Sequence, residues 1–113
     1  MAQYYHLPIY KASYDLLIAL MFSIKDFPRE FKYTVGERIQ NAIIELVISI
    51  YRANSSREKS DYIKSILESI QYINLLLRIT KDLKLITEMR YASFVEQTAS
   101  IAKQSQGWLA TVI

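Results

Sequence analysis

The chain has 113 residues, 14 Lys and Arg against 11 Asp and Glu, two Gly, two Pro and no Cys. This length supports one domain, residues 1–113, with one core, and the lack of cysteine excludes disulfides and thiolate metal sites and fits a reducing compartment such as the cytoplasm. The net charge of +3 suits polyanion binding and plain solubility equally, so where the charge sits matters more than its size.

The scarcity of Gly and Pro, with abundant Leu, Ile, Ala, Glu, Lys and Ser, predicts long helices joined by short turns and an all-α fold. The longest apolar run, residues 16–22, is far short of the ~20 residues that span a bilayer. The start MAQYYHLPIY has no charged segment ahead of an apolar one. The expectation is a protein that is neither membrane-bound nor exported.

Residues 1–7 read as an aromatic lead-in, and Pro8 suits the first turn of a helix reaching about residue 26. Tyr10, Tyr14, Leu17, Met21 and Ile24 share one face, joined by Leu16 and Leu20, and predict its core side. Ile18 and Phe22 fall outside that arc and suggest a second apolar contact. Pro28 then bars a continuous helix, and Thr34 with Glu37 three residues on has capping-box spacing, which predicts a second helix over residues 34–54.

On that helix Glu37, Arg38, Asn41, Glu45, Ser49 and Arg52 form one polar stripe. The remaining arc holds Val35, Ile39, Ala42, Ile43, Ile44, Leu46, Val47, Ile50, Tyr51 and Ala53. It is wider than one core requires, so Ile44, Val47 and Tyr51 are expected at a subunit interface.

A turn over residues 54–57 follows, with Ser55 or Ser56 as N-cap of a third helix over residues 56–82. Its inner face is Tyr62, Ile63, Ile66, Leu67, Ile70, Ile73 and Leu77. A second stripe, Tyr72, Leu75 and Ile79, leaves the core side, and it either meets the following loop or forms a subunit interface. Thr87 caps a fourth helix over residues 87–110, with Tyr91, Val95, Thr98, Ala102, Ser105 and Leu109 inward. Gly107 is expected to end or loosen it, with Trp108 folding back as an anchor.

Four such helices with short connections predict an up-down-up-down antiparallel four-helix bundle. That topology sorts the charges. Lys25, Arg29, Lys32, Arg38, Arg78, Lys81, Lys84 and Arg90 gather at one end against Asp26, Glu30, Glu37, Asp82 and Glu88, which leaves the whole net charge of +3 there. Arg29, Lys32, Arg38, Lys81, Lys84 and Arg90 are the expected phosphate contacts, giving charge without sequence readout.

Catalytic groups are scarce. His6 is the sole histidine, no Glu-x-x-His pair exists for a metal cage, and Glu37, Glu45, Glu68 and Glu96 fall on polar stripes. Gly36 stands alone, which excludes a glycine-rich phosphate loop and suits close approach by a neighbouring side chain. The reading is a non-enzyme without metal or cofactor. Most of the nine tyrosines read as packing residues; Tyr4, Tyr5 and Tyr33, with Phe31 and Lys32, read as candidate base-stacking groups.

The stretch FPREFKYTVGERIQNAIIELVISIYRAN, residues 27–54, resembles the accessory variability determinant (Avd) proteins of diversity-generating retroelements. It is similar also to their bacterial four-helix-bundle relatives, which include proteins encoded in intervening sequences of large-subunit rRNA genes. The Phe27-Pro28 corner, residues 33–38 and residues 50–54 carry the resemblance. It continues through residues 75–79 and 81–84 to Gly107-Trp108-Leu109.

The resemblance implies a four-helix protomer in a homopentameric ring that binds a reverse transcriptase and its template RNA or DNA to support mutagenic cDNA synthesis. The residues leave a second reading open, a protein-protein interaction module with no nucleic-acid role.

Overall fold

A computed structural model gives the structure of residues 3–113; the first two residues of the expected lead-in lie outside it. A 3-10 turn, Tyr4–His6, precedes α1, Pro8–Ile24, whose proline stands at the first helical position, where a missing N–H costs nothing. After the corner, Arg29–Phe31, a π-helical segment Lys32–Gly36, and Glu37–Ser55 run on as one helix, α2. The chain ends with α3, Lys59–Asp82, and α4, Glu88–Val112.

A helix of 24 residues, the length of α3, is ~36 Å long, so within extents of 43 × 21 × 20 Å the helices must lie along the long axis. Short turns make successive helices antiparallel. Each helix packs on the next, and α4 closes on α1, as the predicted bundle requires.

The core is a column of aliphatic side chains lined by Leu16, Leu20 and Ile24 of α1, Ile39, Ile43, Leu46 and Ile50 of α2, Ile63, Ile66, Ile70, Ile73 and Leu77 of α3, and Phe94 and Ile101 of α4. At ~1.5–3 kcal/mol for each fully buried large apolar side chain, this column is what holds the four helices together. Thr98 also ties α4 to α3, its hydroxyl donating to Asn74 Oδ1 at 2.7 Å.

Two faces are turned from the predicted ones. On α1 the buried line is Ile9, Ser13, Leu16, Leu20 and Ile24, and Tyr14 is exposed. Tyr14 stacks on Tyr10 outside the core, where phenol groups keep access to water. On α4 the buried line is Phe94, Thr98, Ile101 and Ser105, with Tyr91, Val95, Ala102 and Leu109 half-buried. Phe94 and Ile101 bring the larger apolar area, and Ser105 enters the core because its hydroxyl donates to the Ile101 carbonyl at 2.8 Å.

On α3, Tyr62 is exposed rather than inward, while Leu76 and Thr80 join the buried set. Ser49, assigned to the polar stripe of α2, is buried.

Three helix ends also differ from expectation. Thr34 does not cap α2; it lies inside the helix, with its hydroxyl donating back to the Glu30 carbonyl at 2.7 Å. Pro28 sets the start of α2 instead of delaying it, for its extended backbone (φ −54°, ψ 148°) stands just before Arg29. Ser55 closes α2, and the Ser56 hydroxyl accepts from the Glu58 N–H at 3.0 Å one step before α3 begins. Lys59 finishes that turn, its ammonium donating to the carbonyls of Ala53, Asn54 and Ser56 at 2.8–3.0 Å. Gly107 neither ends nor breaks α4, which continues to Val112 with Trp108 packed at the edge of the core.

Candidate nucleic-acid interface

The topology gathers the C-termini of α1 and α3 and the N-termini of α2 and α4 at one end. Two positive and two negative helix poles offset one another there, so any field at this end comes from side chains. Arg29 stands exposed in the first turn of α2 and Lys32 half-buried in the π-helical segment; Lys81 closes α3, Lys84 lies in the following turn, and Arg90 is exposed in the first turn of α4.

The ion pairs among the described residues are Lys11–Asp15 and Arg78–Asp82, both exposed. None of the six expected phosphate contacts is therefore neutralised by a carboxylate among them. Lys81 instead rests its ammonium 4.9 Å from the Tyr91 ring centroid, which steers it while leaving its charge available.

The turn after α3 explains how Lys84 is presented. The Leu85 N–H donates to the Thr80 carbonyl and the Lys84 N–H to the Lys81 carbonyl, each at 2.9 Å, the paired bonds of a Schellman motif. Its left-handed position is held by Lys84 with φ 62°, where glycine is usual. Across the turn Thr87 caps α4 as predicted, its hydroxyl accepting from the Arg90 N–H at 3.0 Å.

The π-helical segment sets the other side of the end. A Cβ on Gly36 would lie 2.9 Å from Ile24 Cγ2 and 3.2 Å from the Phe31 carbonyl oxygen, so the glycine is what lets α2 sit against the end of α1. This is the close approach expected of it. The extra residue in the turn turns Tyr33 outward to 64% exposure, beside Lys32.

Arg38 parts from the other five. It lies nine positions beyond Arg29, ~13 Å along the helix, and its guanidinium donates to Tyr72 Oη at 3.4 Å, a bond that raises its pKa above the ordinary arginine value. It belongs to an open groove between α2 and α3 that runs from Tyr33 to Arg52, with Tyr62 and Tyr72 on the α3 side and Ala42, Ser49 and Ser69 among its lining. The polar stripe of α2 thus forms one wall of a groove that its periodicity does not reveal. The signal available was small residues on facing stripes, Ala42 and Ser49 opposite Ser65 and Ser69.

Of the expected interface residues, Tyr51, Ile44, Tyr72, Leu75 and Ile79 are exposed, with Leu75 the most at 57%, and Val47 is half-buried. They form two stripes on different helices. The candidate stacking residues divide: Tyr4 and Tyr5 lie at the opposite end from Tyr33, and the Tyr4 ring meets Tyr51, Tyr10 and Tyr5 edge-on at 5.0–5.4 Å. His6 lies against Tyr5, outside the core. Among the described residues there is no group of three or more His, Cys, Asp or Glu placed to hold a metal ion, and no helix long and apolar enough to cross a membrane.

A family model described as bAvd-like matches residues 9–112. No curated protein and no solved structure matches the chain.

Proposed function

The chain belongs to the bAvd-like family, and from that premise we propose that it is a non-enzymatic, cytoplasmic, homo-oligomeric adaptor that holds RNA or DNA by its phosphates. The observation that carries this reading is the set of cations at one end, Arg29, Lys32, Lys81, Lys84 and Arg90, from three helices and the turn between two of them, none in an ion pair among the described residues. Lys84 adds weight, because a lysine occupies a backbone position that glycine would fill without strain.

By the same resemblance the partner that uses the bound nucleic acid is a reverse transcriptase, and the assembly is a pentameric ring. The exposed stripes Ile44–Val47–Tyr51 and Tyr72–Leu75–Ile79 support assembly, since they are distinct patches and pairing one with the other is heterologous. A ring multiplies the end charge by its subunit number, which converts a mild bias into a field that attracts phosphates.

Contacts of this kind recognise charge and spacing, with base identity left unread. The test is binding of a labelled structured RNA by the native protein and by the Lys81→Glu/Lys84→Glu double variant. The variant is expected to bind at least about tenfold more weakly, with a flatter dependence on salt and unchanged assembly. Equal affinity would place the binding surface elsewhere. No binding by either protein at low salt would leave the protein-protein module as the reading.

A further inference from the structure

The groove between α2 and α3 carries charge opposite in sign to the basic end. Glu37, Glu45 and Glu68 line it against Arg38 and Arg52, and Arg38 is already turned onto Tyr72. None of the three carboxylates is in an ion pair among the described residues. A polyanion laid here would meet them unshielded, so the groove does not extend the phosphate surface.

Its shape suits a helix. Small side chains among its lining allow another backbone close approach, and its span from Tyr33 to Arg52 is ~28 Å. Ser49 is 7% exposed, lines the groove, and has no hydrogen-bond partner for its hydroxyl among the described residues. That hydroxyl opens onto the groove, where a polar group arriving from outside can bond it.

We propose that this groove is the docking site for a basic helix of a partner protein. Glu37 and Glu45 are eight residues apart on one helix, ~12 Å. A helix lying along the groove meets both when its Lys or Arg side chains stand two turns apart. Tyr33, 64% exposed at the mouth of the groove, gives an aromatic ring within reach of the same cations. The proposal is independent of the phosphate surface, since it uses different residues and the opposite charge.

The probes are labelled alanine-rich helical peptides of roughly 20 residues, one with arginine pairs spaced seven apart and one with the same composition spaced five apart. The first is expected to bind about tenfold more tightly at low salt, as its charges align with the carboxylates. Glu37→Gln/Glu45→Gln should remove that preference, whereas Lys81→Glu/Lys84→Glu should keep it while losing RNA.

Equal binding of the two peptides, or a preference that survives in the glutamine variant, overturns the proposal. So does a glutamine variant that sediments as a smaller species than the native protein, because the groove would then be filled by a second copy of this chain. Glu37, Glu45 and Lys84 are exposed and Lys81 is half-buried, and an unchanged thermal melt confirms that both variants fold.

Discussion

Lys84 shows how one residue can set stability against function. A non-glycine side chain at φ 62° costs on the order of 1 kcal/mol, and the Schellman bonds around it would form equally well with glycine. Lys84→Gly is therefore expected to raise stability by about 1 kcal/mol while removing roughly one phosphate contact from the salt dependence of RNA binding. Urea unfolding and a salt titration read the two effects separately. A variant that is less stable would mean that the lysine side chain packs favourably in the turn.

At this scale the sequence was partly legible. Thr87 announced itself as a cap because it follows a turn and precedes a long periodic run, and it caps α4. Thr34 has the same local signature but lies inside a helix, and a hydroxyl within a turn can donate to the carbonyl four residues back. Spacing alone does not separate these two outcomes, because both satisfy the same hydroxyl.

At the scale of elements, periodicity found all four helices and missed how two of them are turned. Tyr14 and Tyr91 read as inward because aromatic rings are the largest apolar surfaces in their windows. On α1 the buried line passes through Ser13 in place of Tyr14, and on α4 through Phe94 and Ile101 in place of Tyr91, while Ser105 is inward as expected. The groove was hidden because Ala42, Ser49 and Ser69 give little hydrophobic signal.

The two glycines predict opposite outcomes for one substitution. Gly36→Ala should destabilise the protein by about 1–3 kcal/mol, because the added methyl meets Ile24 and the Phe31 carbonyl. Gly107→Ala meets nothing within 4 Å and should stabilise α4 by about 0.5–1 kcal/mol. Thermal melts of both variants check the pair. Like signs would contradict the packing assigned to the π-helical segment.

For the whole molecule the antiparallel topology does the sorting. Residues far apart in sequence, 25–38 and 78–90, come to one end only because four helices of similar length alternate in direction. This was legible in advance because the turns are short. The apolar stripes bear on assembly at the same scale.

The native protein is expected to sediment as a species larger than a dimer. Ile44→Glu and Leu75→Glu, one in each stripe, should each give monomers, and an equal mixture should reach no more than a dimer, since one intact stripe pair remains. A native protein that sediments as a monomer would contradict the ring.

The central claim is that the end of the bundle is a phosphate surface. Its most direct test is the affinity of the native protein for a structured RNA measured from low to physiological salt. Five cations meeting phosphates predict that the logarithm of the binding constant falls with the logarithm of salt at a slope of about −4 per engaged end. A slope near zero, or no binding at the lowest salt, would contradict it.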